Sequence, residues 1–338
     1  MQYARLLGTS FAAVLSLAVA SAPTRARAGT EPIAKWCSGI KIAAFAGGPD
    51  GAPFADQVAN GFKQAELDLG PTVTINFSDW DPNKILSQIK DAAAAKVDGI
   101  AAFGIAGDSA TDPLIDRVFG QSGTFTSLHT ALPKAQSRYA SAGMGFVGAP
   151  AYKLGFALAS EAFARSKLLK GEEALVWGFK SQGGERAQRT MGILDSLAKA
   201  GAKVTYQEID AATSANPSAG TSIFVGLLAK NPKLKLIITD HGGLTANTSV
   251  LGKAAGLRPG QVFFAGFDLS PDSAKALTEG YESLIIDPQP YLMGYLSILN
   301  VCLTRKFGFS GMDIDTVGAF VDKNNLGAIA PLVESHIR

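Results

Sequence analysis

Cysteine and histidine are scarce in this chain: Cys37 and Cys302 are the only cysteines, and His129, His241 and His336 the only histidines. No CxxC, HExxH or Cys/His cluster can be drawn from five such scattered residues, which excludes a structural zinc site and points to no cofactor. Charge of one sign is missing as well. Lys and Arg number 31 against 29 Asp and Glu, a formal net charge of +2, and no basic stripe of the kind that phosphate backbones require is present, so nucleic acid is not expected as a partner. Low-complexity tracts are absent too. What is present is a 338-residue chain that is 47% hydrophobic, 18% charged and carries 37 glycines, enough for one large core or two medium ones, with two domains the better expectation.

The first stretch, MQYARLLGTSFAAVLSLAVASA, has Arg5, then an apolar run from Leu6 to Ala20, then small residues. That is the layout of a secretory signal, too short to span a bilayer comfortably. Cleavage is expected after Ala28 (Ala-Arg-Ala), with Ala22 (Ala-Ser-Ala) as the alternative that Pro23 disfavours. No lipobox cysteine follows. Residues 1–28 hold Arg5, Arg25 and Arg27 and no acid, so 31 bases become 28 against 29 acids and the mature charge is −1. Export to an oxidising compartment permits a disulfide, and Cys37 with Cys302 is the one intramolecular pairing; two separate thiols, with Cys302 buried in a helix, is the alternative.

After Cys37, β-rich runs alternate with helical spacing about ten times. Strands are expected at 40–46, 72–77, 99–104 and 124–128, then at 173–178, 203–209, 235–239, 262–267 and 283–287. Helices are expected at 53–69, 82–95 and 111–121, then at 184–200, 219–230, 243–255 and 271–279, and Pro53, Pro82 and Pro113 sit where a first turn tolerates proline. Such alternation builds parallel sheets covered on both faces. The fold class is therefore α/β, two similar doubly wound lobes rather than a closed barrel, with a boundary at the Gly- and Pro-rich GFVGAP of 145–150.

In open α/β sheets ligands bind beyond the carboxyl ends of the strands. The first such end, GGPDGAPF (47–54), fits neither GxGxxG nor GxxxxGK[ST], and Pro49 and Pro53 remove amide donors a phosphate cradle needs. The third, GIAGDSA (104–110), offers Gly107-Asp108-Ser109, an esterase-like nucleophile block without the DxxH that should accompany it. Other strand ends carry His129, Asp240-His241 and Asp268, with Arg189 on a nearby helix and flat faces from Phe54, Trp80 and Trp177. The set suits a polyhydroxylated neutral ligand. Taken singly, any strand-end Asp is as readily a helix cap.

At GFDLSPDSAKAL (266–277), IIDPQPYLMGY (285–295) and GAPFADQVANGFKQA (51–65), the chain resembles type I periplasmic sugar-binding proteins, the ribose- and galactose-binding class that serves ABC importers. The resemblance covers 38–338. It implies two lobes joined by a three-crossing hinge, expected near 147–150, 286–289 and 310–315, with 38–148 plus 288–312 in the N-terminal lobe and 149–287 plus 313–338 in the C-terminal lobe. It implies a periplasmic monomer, not an enzyme, that closes on a monosaccharide or polyol and delivers it to an inner-membrane ABC permease. The ligand set it implies is Phe54, His129, Arg189 (Arg186 in an alternative register), Asp240, Asp268 and Gln289, and Asp108 at the third strand end is a further candidate ligand residue. The chain departs from the family at Asp287-Pro288-Gln289-Pro290-Tyr291, where Pro288 stands at the usual glutamine and Gln289 is the candidate to replace it. A sensory protein that docks to a membrane receptor shares the same fold, and a hydrolase using Ser109 is the remaining alternative.

Overall fold

The computed structural model describes residues 34–181 and 183–338. The expected signal segment, 1–28, lies outside them. Twelve strands follow in chain order among the described residues: β1 (Lys41–Phe45), β2 (Thr72–Asn76), β3 (Gly99–Phe103), β4 (Thr124–Leu128), β5 (Gly145–Gly148), β6 (Glu173–Gly178), β7 (Lys203–Glu208), β8 (Leu236–Thr239), β9 (Phe263–Phe267), β10 (Leu284–Ile286), β11 (Asp313–Asp315) and β12 (Phe320–Val321). They form two six-stranded sheets, ordered β11-β5-β4-β3-β1-β2 and β12-β10-β9-β8-β6-β7. All pairings are parallel except β10 with β12. Strand order reverses beside β1 in one sheet and beside β6 in the other, which opens a crevice at the carboxyl end of each.

Apolar runs form the central strands because both sheet faces are covered by helices: β3, β4 and β5 are buried throughout. Phe45, Phe62, Phe103 and Phe125 fill the first lobe, and Trp177, Phe224, Phe264 and Phe267 the second. Trp177, expected as a stacking face for a ligand, is instead a core residue, fully buried and stacked 6.2 Å from Phe224. Its place inside β6 turns it to a helix-covered face.

In each lobe the helix after the first strand crosses a helix that starts at a hinge, and the crossings use reciprocal glycines. A Cβ on Gly61 would lie 2.1 Å from the Tyr291 carbonyl, and one on Gly294 would lie 2.2 Å from the Val58 carbonyl. The second lobe repeats this between helices Ala151–Arg165 and Gly184–Ala200, where Gly155 meets the Arg189 carbonyl at 2.0 Å and Gly192 the Tyr152 carbonyl at 2.2 Å. Any side chain at these positions would push the helices apart.

The chain passes between sheets at 149–150, 287–289 and 316–319. The third passage corrects the expectation of 310–315: β11 pairs with β5, so 313–315 belongs to the first sheet rather than to the C-terminal lobe. Three residues make a strand too short to stand out in sequence. GFVG at 145–148, read as a boundary, is itself the buried strand β5. Gln289 braces the hinge: its backbone φ is +59°, its amide donates to Asp287 Oδ1 at 2.9 Å, and its Nε2 donates to the Thr316 carbonyl at 3.3 Å.

Cys37 and Cys302 form a disulfide with Cα atoms 5.6 Å apart and both residues fully buried. It ties the segment before β1 to helix Pro290–Phe307 across 265 residues. Loop closure of that length constrains the unfolded chain, so replacing both cysteines with serine should lower stability by roughly 2–5 kcal/mol. Thermal melts of the two proteins check this; equal midpoints would show that the cross-link adds nothing to what the packing already holds.

Candidate functional site

The two sheets face each other through their carboxyl ends, and a cavity of about 400 Å³ lies between them. His129, Thr130 and Gln136 line it from the first lobe, Arg186 and Arg189 from the second, and Pro288 from the hinge. The lobes also touch directly, since the buried Gln57 Nε2 donates to the Leu269 carbonyl at 2.9 Å and Asn60 Nδ2 to the His336 carbonyl at 3.3 Å.

In the first lobe, strand ends β1 to β4 deliver a row of rings. Phe54 enters from the first turn of helix Pro53–Leu69, 5.5 Å from the His129 ring and 5.7 Å from Trp80, both edge-on. Phe103 lies beneath, 5.6 Å from His129 and 5.5 Å from Trp80. His129 directly follows β4 with a φ of +56°, and its Nδ1 lies 3.1 Å from Thr130 Oγ1. Burial pushes its pKa down to about 3, with Arg189 and Arg186 pushing the same way, so the imidazole is neutral. Asp108 turns to its own lobe and accepts the Ala135 amide at 3.1 Å.

In the second lobe one carboxylate organises the site. Asp240, fully buried after β8, accepts from Arg186 Nη1 at 3.0 Å, from Arg189 Nε and from Thr190 Oγ1. Its carbonyl accepts Arg186 Nη2 at 2.6 Å. Burial alone would raise this carboxyl, but Arg186 and Arg189 outweigh it and hold Asp240 below the usual carboxylate range. Residues 186, 189 and 190 share one face of helix Gly184–Ala200 by their i, i+3, i+4 spacing, so both arginines of the two candidate registers reach the same carboxylate. Each guanidinium also rests on a ring, Arg186 4.5 Å from Phe179 and Arg189 4.3 Å from Phe267.

Asp268 follows β9 with a φ of +69°, and its Oδ1 is buried without a hydrogen-bond partner among the described residues. Burial raises its pKa to about 6, against the pull of Arg189. His241 caps helix Gly242–Ala246 by accepting the Gly243 amide at 3.1 Å, and burial followed by the two arginines lowers it to about 4.

Of the expected ligand set, His129 and Arg189 line the cavity; Phe54 packs edge-on against His129, Asp240 is bonded behind Arg189, and Asp268 lies against Gly242. Gln289 sits at the hinge with its amide on backbone, and Asp108 is committed within its lobe. Gln57 and Thr190 were not singled out by sequence. Gln57 lies three residues after Phe54, one turn on, and that spacing was the available signal.

Two parallel-dominated lobes that face each other across a ligand-sized cleft, linked by three crossings, define a type I periplasmic binding protein. The chain matches the periplasmic binding protein domain over residues 42–302 and belongs to that family. No match was found among curated proteins. Among solved structures, it is similar to an ABC transporter solute-binding protein from Burkholderia graminis in complex with D-arabinose, at 23% identity and a TM-score of 0.74 over 86% of this chain and 97% of that one. A carbohydrate transporter from Acidothermus cellulolyticus in complex with myo-inositol matches at 22% identity and a TM-score of 0.74, over 88% and 99% of the two chains. A solute-binding protein from Agrobacterium vitis with bound D-fucose matches at 19% and 0.71, over 85% and 96%.

Asp268 makes stability depend on pH. Its folded pKa of about 6 lies above the ordinary 3.8, so the folded protein binds more protons than the unfolded chain between those values. Stability without added ligand therefore falls as pH rises from about 4 to 6, by on the order of 2–3 kcal/mol from this group. Asp268→Asn should flatten that part of the profile in urea titrations at stepped pH; an unchanged slope would assign it to other groups.

Proposed function

We propose that this chain is the exported, periplasmic substrate-binding protein of an ABC importer, which closes its lobes on a monosaccharide or related polyol and presents the loaded form to the inner-membrane permease. The carrying observation is the charge balance of the cleft. Two guanidiniums, Arg186 and Arg189, and two carboxylates, Glu185 and Asp313, line the cavity, Asp240 is buried behind the arginines, and His129 and His241 are neutral near pH 7. A ligand with no net charge and many hydroxyls suits such a wall, because it can use donors and acceptors together. Sugars and a cyclic polyol are what the three similar solved proteins hold.

The roles follow from placement. Phe54 covers a ring face, His129 Nε2 meets a hydroxyl from the first lobe, and Arg189, fixed by Asp240, donates from the second. Asp268 Oδ1 accepts a hydroxyl and so gains the partner it lacks in the protein alone. A buried acceptor left unpaired costs about 1–3 kcal/mol, and its recovery in the closed form favours closure. The lobes are assigned as 38–148 plus 288–315 and 149–287 plus 316–338, and the protein acts as a monomer. Hydrolysis through Ser109 lacks support: that serine is exposed, and the three histidines bond Thr130, the Gly243 amide and the Asp56–Asn60 face instead.

A thermal-shift screen of the mature protein against pentoses, hexoses, polyols, disaccharides and nucleosides tests this reading, since a ligand of the folded state raises the midpoint. One sugar or polyol stereoisomer should shift the midpoint where its epimer does not. Asp268→Ala should weaken that ligand about tenfold or more while the protein stays folded; unchanged affinity would remove Asp268 from the site, and no shift across the panel would overturn the sugar assignment.

A further inference from the structure

Helix Pro53–Leu69 of the first lobe turns one face to the second lobe. Asp56, Gln57 and Asn60 share that face by their i, i+1, i+4 spacing, and each meets a second-lobe atom: Asp56 Oδ2 lies 3.3 Å from His336 Nδ1, Gln57 Nε2 donates to the Leu269 carbonyl at 2.9 Å, and Asn60 Nδ2 donates to the His336 carbonyl at 3.3 Å. The Asp56 carboxylate is held in place for this contact, because its Oδ1 accepts the Gly51 amide at 3.1 Å. None of these residues lines the cavity. Lys153 and Asp315 also pair between the lobes, but that pair is solvent-exposed and sits beside the passages at 149–150 and 316–319.

The second-lobe residues are positioned from behind as well. Helix Leu326–Glu334 rests on the second lobe's core, with Leu326 and Val333 packed among Leu269, Leu277 and Ile285. The chain then turns at His336, whose φ is +53°, and the Ile337 and Arg338 amides return to the Leu332 carbonyl at 2.9 and 3.1 Å. Glycine is the usual residue at such a left-handed position after a helix, so a histidine there fixes its side chain at a cost in backbone strain. Beyond the turn, Arg338 reaches the second hinge passage: its Nε and Nη2 lie 3.0 and 2.9 Å from Oδ2 of the fully buried Asp287, whose Oδ1 accepts the Gln289 amide. One short segment therefore touches the first lobe through His336 and a hinge passage through Arg338.

From this arrangement we propose, resting on the lobe closure of the function proposed above, that segment 336–338 and the face of Asp56, Gln57 and Asn60 form a clasp that is made only when the lobes are closed and that populates the closed form before any ligand arrives. Gln57 and His336 are then positioning residues, which act on affinity through the fraction of protein already closed and not by touching the ligand. A ligand of the closed form binds in proportion to that fraction, so loss of the clasp weakens every such ligand by the same factor. The cavity residues decide which ligand binds, and the clasp decides how tightly all of them are held.

Electron-spin distance measurements on the mature protein test this without a ligand, with nitroxides on Ser87→Cys and Ser222→Cys, exposed positions on helices of opposite lobes. The ligand-free protein should show a short- and a long-distance population. Gln57→Ala and His336→Gly should each lower the short-to-long ratio about three- to tenfold, the worth of one hydrogen bond, with melting curves showing both variants folded. Glycine suits the turn at 336, so that variant removes the side chain and keeps the backbone. Calorimetry with the sugar or polyol that raises the melting midpoint, and with its weaker-binding epimer, should show both affinities falling by one common factor in each variant. A ligand-free protein with only the long distance, or distances unchanged in both variants, overturns the clasp and leaves the sugar reading standing. So does a loss that differs between the epimers, because it places the substituted residue against the ligand. Failure of every sugar and polyol, with the distances shifting as stated, overturns the sugar reading and leaves the clasp standing.

Discussion

The buried carboxylate of Asp240 is the interaction on which the site depends. It sits at the end of a fully buried strand, where an isolated charge would be prohibitively costly, and the structure compensates by bringing two guanidiniums and a hydroxyl to it. This fixes the side chains of Arg186 and Arg189 before any ligand arrives. It also sets the electrostatics of everything nearby: the cations that hold Asp240 ionised help to keep His129 and His241 neutral and restrain the rise of Asp268. One buried carboxylate thereby holds two guanidinium donors in fixed directions beside neutral imidazoles.

The backbone beneath this cluster is held by the glycine crossings. Gly155 lets helix Ala151–Arg165 approach the Arg189 carbonyl, so the residue that faces the cleft with its guanidinium is pinned from behind by its peptide group. Gly61 and Gly294 do the same for the helix that carries Phe54. Both contacts involve a helix that begins at a hinge passage, and they connect the geometry of the passages to the position of the ligand-facing residues. Gln289 adds a direct brace between two of the three passages.

Much of the fold was legible because strong signals agreed. β4 and β6 and helices Pro53–Leu69, Gly184–Ala200 and Pro271–Glu279 fall where periodicity and proline placement put them. Of the strands that escaped, β5 lies in a Gly-rich stretch read as a boundary, and β11 and β12 are short and become strands through their sheet partners. Trp177 illustrates a different limit, since an aromatic inside a strand carries no mark of which face it turns to. At the site, the residue types were readable and their employment was not: Asp108 and Asp268 look alike as strand-end acids, yet one caps a neighbour's amide while the other keeps a buried oxygen unpartnered.

The sequence by itself determined the α/β alternation, two similar lobes, the pairing available to two cysteines and the reservoir of polar and aromatic residues at strand ends, because these follow from local periodicity, composition and order. Only the tertiary structure decided which of those residues line a common cavity and that both arginines serve one carboxylate. Those outcomes depend on contacts between residues as far apart as Arg189 and Asp240 or Gln57 and Leu269, and such distances are closed by packing, which no local pattern encodes.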